Sequence, residues 1–260
     1  MLFRSSVADN ALEQAAAADA DRANGKTSDV LGVPIALKDL YDTKDQITTG
    51  GTRALKDWQP ATDAWQVAAL REAGAVLIGK TNLSEFANSG SFSESGFKQT
   101  WNALYPSKTS FGSSGGSATA TGVDFAAAAM GTQTGVSLYA PTTGASLSAF
   151  RGTDGLTSTE GVMPLTWATD YAGPIAKNVS DLAAILNVTA TQATGNDPVD
   201  PITNRVDNSK RPVEWTSALD ANALQGKKIG YVAASFNSAL IADSMEIGRA
   251  SCRERVSSVV

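Results

Sequence analysis

Phe111-Gly112-Ser113-Ser114-Gly115-Gly116-Ser117-Ala118, followed by Gly131-Thr132-Gln133-Thr134-Gly135-Val136-Ser137, is the stretch on which the reading of this chain turns. Glycines beside serines let the main chain adopt positive φ and pass close to a substrate. They also leave successive N–H groups free to converge on one point, as an oxyanion hole demands. Taken singly, either segment reads equally as a Gly/Ser turn. The first lies within residues 88–122, which are rich in Gly, Ser, Thr and Asn and nearly without charge. A stretch of that length without structure is uncommon inside a compact domain and is often functional.

The remainder of the composition narrows the chemistry. The chain has 260 residues, no histidine and one cysteine, Cys252. That length makes one large domain or two small ones, at roughly 100–200 residues each. Without histidine there is no Ser-His-Asp or Cys-His pair and no imidazole base. One cysteine excludes an internal disulfide and a thiolate cluster. No cofactor or metal is implied, and hydrolytic chemistry must rest on Ser, Lys, Asp, Glu or Tyr. With 21 Lys and Arg against 26 Asp and Glu, the surface has no general attraction for nucleic acid or anionic lipid. The apolar runs, such as 75–78 and 125–130, are too short to span a bilayer. The first residues lack the apolar core of a signal peptide. The chain reads as soluble, cytoplasmic by default, with its compartment and oligomeric state left open.

Short apolar strands alternate with amphipathic helices, the pattern of an α/β layered domain. Strands are expected over 31–37, 75–78, 125–130 and 228–235. Helices are expected over 9–24, over 63–73, and after Ser180 with Leu182, Ile185 and Leu186 on one face. The polar tract 190–225 reads as a surface excursion or linker without chemistry. Gly74-Ala-Val-Leu-Ile-Gly79-Lys80-Thr81 matches a phosphate-binding pattern, but Ala-Val-Leu-Ile is strand-like and cannot curl around phosphate.

Taken together, and with Lys38 upstream, the two serine segments resemble the amidase signature family. The resemblance runs from about residue 9 to about 190. Leu31 to Asp39 is similar to the strand that ends in the family's catalytic lysine, and Gly79 to Ala87 to a further family block. Ser113 and Ser137 lie 24 positions apart, as the family's bridging and nucleophilic serines do. Arg151 to Gly155 and Tyr171 to Ile175 resemble later blocks.

The resemblance implies an α/β fold with a mixed sheet flanked by helices, incomplete at the C-terminus and with the N-terminus open to the same reading. It also implies a Ser-Ser-Lys triad: Ser137 as nucleophile, Ser113 as bridging serine on a cis peptide, and Lys38 as base. The N–H groups of Thr134, Gly135, Val136 and Ser137 would form the oxyanion hole, and Phe111 and Ser114 would contribute to the substrate pocket. A lysine in water titrates near about 10.4, and burial can bring it into the range of about 7–8 where a general base works. The chain departs from the family pattern at Gln133 (usually Asp), Val136 (Gly), Tyr139 (Arg) and Phe111 (often Gly). Loss of both acid and base reads as a coherent swap of an ion pair for neutral contacts. Val136, being β-branched, is expected to avoid positive φ.

The implied activity is hydrolysis of a small-molecule amide, with esters, carbamates and anilides open to the same chemistry. The alternatives are the glutaminase-like subunit of an amidotransferase and a non-catalytic or truncated chain. Leu83 to Asn88 departs from the tRNA-dependent amidotransferase pattern and favours a general amidase. Residues 1–245 read as one partial domain with its core signature at about 30–190. The segment 246–260 resembles translated sequencing adapter and reads as a non-native tail.

Overall fold

The computed structural model describes residues 4–228 and residue 230. Residues up to Ser217 form one unit, to which all the elements below belong; those from Ala218 on form a separate one. The strand expected over 228–235, the boundary at 245 and the segment 246–260 lie outside the described residues, apart from positions 228 and 230.

The strands are β1 (Arg4–Val7), β2 (Pro34–Lys38), β3 (Val76–Thr81), β4 (Ser93–Glu94), β5 (Gln99–Thr100), β6 (Ala128–Gln133), β7 (Ser148–Ala149) and β8 (Tyr171–Ala176). The helices are α1 (Ala11–Ala23), α2 (Trp65–Glu72), α3 (Gly115–Gly122), α4 (Tyr139–Gly144) and α5 (Val179–Thr189). Six strands form one sheet in the order β1-β3-β2-β6-β8-β7. β2 runs parallel to β3 and β6, while β1, β8 and β7 pair antiparallel, so the sheet is mixed. β4 and β5 make a separate small hairpin.

The alternation of β2 explains the layers. Ile35 and Leu37 join Val67 and Leu70 of α2, Leu77 of β3, Met130 of β6 and Ile185 of α5 in the main core. Ala36 clusters instead with Ala126 and Ala129, small side chains that leave room for a close neighbour. That neighbour is α3, which packs against β2 and β6 and is buried from Gly115 to Thr121. Ser117 Oγ donates to Met130 O at 2.9 Å and pairs with Thr81 Oγ1 at 2.7 Å, so the helix is bonded into the sheet. Its Gly- and Thr-rich sequence is a poor helix former, and packing overrides that propensity.

Three expectations need correction. The N-cap of α5 is Asn178, whose side chain accepts from Asp181 N at 2.9 Å, rather than Ser180. Within 88–122, the structure has a hairpin and a helix rather than an unbroken loop. The tract from 190 is not merely a surface excursion. Asp197, Asp200 and Arg211 are buried there because each bonds to groups at 155–159, distant in sequence. Ser158 Oγ donates to Asp197 at 2.6 Å, Thr159 N to Asp200 at 2.8 Å, and Arg211 donates to Gly155 O at 2.7 Å. The phosphate-pattern segment is strand β3, and Lys80 is fully buried, donating to Tyr41 O at 2.7 Å and Thr48 Oγ1 at 2.6 Å. No helix among the described residues is long and apolar enough to cross a membrane.

Candidate active site

Lys38 is the last residue of β2, in the middle of the sheet, and is wholly buried. Its Nζ donates to Ser113 Oγ at 2.6 Å and to Thr132 Oγ1 at 2.7 Å. Burial drives the amine well below the ordinary lysine value, and the charge of Asp170 partly opposes that fall. The contact with Ser113 therefore also runs in reverse: a neutral amine offers its lone pair to the Ser113 O–H.

Ser113 is held from both sides. It follows a cis Gly112–Ser113 peptide, and its carbonyl accepts from Ser84 N and from Ser93 Oγ, each at 3.3 Å. A Cβ on Gly112 would lie 2.1 Å from Phe92 O, so only glycine fits there. Phe111 takes φ 58°, which accounts for glycine being the easier residue at this position. Its ring packs where a Cβ on Gly144 of α4 would stand, and it is not among the residues lining the cavity described below. Ser114 is buried as well: its Oγ donates to Thr132 O at 3.1 Å and accepts from Thr132 N at 3.2 Å. These bonds tie the start of α3 to β6.

Ser137 lies in the loop between β6 and α4. Ser114 N donates to its carbonyl at 3.3 Å, which joins the two serine segments through the main chain. The Ser137 hydroxyl has no hydrogen-bond partner among the described residues, so no direct Ser113–Ser137 side-chain bond is present. The N–H groups of Thr134, Gly135, Val136 and Ser137 donate to no protein acceptor among the described residues. Val136 stays out of the left-handed region, as its branched side chain requires.

Gln133 takes a role that the ion-pair argument missed. Its Oε1 accepts from Leu138 N at 2.9 Å and from Tyr139 N at 2.8 Å, spanning the loop and capping the first turn of α4. The substitution exchanges one acceptor for another, and Tyr139 participates through its backbone, its side chain being exposed.

A cavity of about 290 Å³ opens beside Thr132 and Thr134. Its far walls are apolar, with Met163, Leu165, Trp167 and Val199. The charged residues lining it are Glu160, Asp170 and Asp200, and no Lys or Arg among the described residues does so. Thr132, Asp170 and the 162–167 wall escaped the sequence reading. Thr132 was visible inside the second serine segment, and Asp170 immediately precedes the block at 171–175. No cluster of three or more His, Cys, Asp or Glu that could hold a metal exists among the described residues.

The family model described as Amidase matches residues 3–253 and so runs into the segment 246–260, which gives the foreign-tail reading no support. The chain is 39% identical over 223 residues to a glutamyl-tRNA(Gln) amidotransferase subunit of Roseiflexus sp. (strain RS-1), covering 86% of this chain and 44% of that one. It is similar to the crystal structure of PAM12A with TM-score 0.86 and 34% identity, covering 99% of this chain and 52% of that one. Against native peptide amidase from Stenotrophomonas maltophilia the TM-score is 0.80 at 36% identity, covering 87% and 47%. The chain thus spans about half the length of these relatives. With a buried lysine on a cis-serine, the fold to match and a family model covering nearly all its length, the chain belongs to the amidase family, with its Ser-cisSer-Lys architecture.

Proposed function

We propose that the chain carries out amide-bond cleavage by acyl transfer, with Ser137 as nucleophile, Ser113 as relay and Lys38 as base. The observation that carries the reading is the Lys38–Ser113 contact of 2.6 Å, made by an amine that burial keeps neutral more readily than water would. Neutral Lys38 takes the Ser113 proton while Ser113 takes that of Ser137, whose Oγ attacks the carbonyl carbon. Oxyanion charge then develops toward the unpaired N–H groups of 134–137, each such donor being worth about 2.7–4 kcal/mol. The same relay returns the proton to the leaving amine. Water repeats the sequence on the acyl-enzyme. Lys38→Ala and Ser137→Ala should each abolish turnover of a chromogenic amide. Full activity in both would refute the mechanism. An acylating probe that labels Ser137 in the unmutated chain would exclude the non-catalytic reading.

For the substrate, the glutaminase-like subunit of an amidotransferase has the stronger support from curated relatives. Glutamyl-tRNA(Gln) amidotransferase subunits from Roseiflexus sp. (strain RS-1) and Thermobifida fusca (strain YX) are 39% and 40% identical, despite the departure at 83–88 that favoured a general amidase. The similarity to peptide amidase supports the other substrate class. Ammonia release from glutamine, compared with release from a C-terminally amidated peptide, separates them.

A further inference from the structure

We propose that Asp170 is a positioning residue for this chemistry, fixing the oxyanion loop and the cavity wall to each other through one carboxylate. The inference rests on the roles of Ser137 and Lys38 given above. Asp170 stands immediately before β8. The Thr134 hydroxyl, at the start of the oxyanion loop, donates to its Oδ1. On the same carboxylate, Leu165 N donates to Oδ2 at 2.8 Å and Thr166 N donates to Oδ2 at 3.0 Å and Oδ1 at 3.2 Å. These are charge-assisted bonds, and a carboxylate fork fixes direction as well as distance. The two segments it joins differ in kind. One carries the unpaired N–H groups of 134–137; the other carries Leu165 and Trp167, which line the cavity. Substrate seated against the wall is therefore registered against the oxyanion donors, with no direct hydrogen bond between wall and loop among the described residues.

The same carboxylate acts on Lys38 through charge, favouring the protonated amine against burial. Other charged groups nearby are committed elsewhere or lie across the cavity. Asp39 is engaged by Thr49 and Lys80, and Arg151 by Asp154, while Glu160 and Asp200 sit in the cavity lining.

Two variants separate geometry from charge. Asp170→Asn keeps the shape and removes the charge; Thr134→Val removes the hydroxyl and leaves the charge. With a neutral chromogenic amide, both should lower kcat on the order of 10-fold or more with KM within about twofold. Only Asp170→Asn should move the rise of kcat/KM with pH toward lower pH, because Lys38 then loses the charge that supports its protonated form. Wild-type kcat together with a wild-type pH profile in Asp170→Asn would overturn the proposal. So would wild-type kcat in Thr134→Val, which decides the matter alone if Asp170→Asn does not fold. Retained turnover in Ser137→Ala would instead refute the nucleophile assignment, a result distinct from either.

Discussion

Gln133 Oε1 accepts the Leu138 N–H at 2.9 Å, so the last side chain of β6 reaches across the loop that carries Ser137 to its far end. With the Tyr139 N–H on the same oxygen, the loop is closed by one acceptor. Gln133→Ala should lower kcat by about 10-fold or more and cost about 1–3 kcal/mol for two lost bonds. Gln133→Glu should keep both, since a carboxylate accepts the same pair. Steady-state kinetics and thermal melts check both variants.

In the proposed mechanism the Lys38 amine acts when neutral, so kcat/KM should rise with pH through its lowered pKa, below the ordinary lysine range. Lys38→Arg should be inactive throughout, because guanidinium does not give up its proton. Lys38→Met should be inactive, since it removes the amine while keeping an unbranched side chain in the same buried place. A pH–rate profile and a melting curve test these together.

Lys80 and Asp39 form a fully buried ion pair at 3.5 Å. Lys80→Met leaves Asp39 buried with only Thr49 as partner and should cost about 3–5 kcal/mol. Adding Asp39→Asn should recover part of that loss. Denaturant unfolding measures both.

Asp42 is raised from its ordinary 3.8 to about 6, first by burial and then by the neighbouring Glu160 charge, with Lys80 opposing. A carboxyl whose folded value is raised favours the fold while protonated, so its contribution is present below about 4 and lost as pH rises through about 6. Asp42→Asn should flatten that part of the stability profile and raise Tm at pH 7. Melts across pH 4–7 would contradict this if the variant and parent ran parallel.

Much of this was legible in the sequence, for identifiable reasons. Ile35 and Leu37 alternate with Ala36, and Leu182, Ile185 and Leu186 share one helical face, so β2 and α5 announce themselves. The buried helix α3 did not, because Gly115-Gly-Ser-Ala-Thr-Ala-Thr-Gly122 has low helix propensity; it exists because Ala36 and Ala129 leave space for it. Asp197 and Arg211 looked solvent-bound by type, yet partners distant in sequence make them interior residues. Lys38, Ser113 and Ser137 were marked by their surroundings. Asp170 was not: a single acid in a polar stretch has no pattern, and its importance lies in the three groups that bond to it.

Lys38 closes β2 and Thr132, which accepts from its amine, lies in β6, whereas the wall at 162–167 belongs to irregular chain. On the proposed function, proton transfer and substrate contact thus fall to different parts of the chain. Sheet register punishes any change near Lys38, while the wall can be rewritten residue by residue. If the proposed relay holds, diversity confined to Met163, Leu165 and Trp167 should change specificity while leaving the relay unaltered.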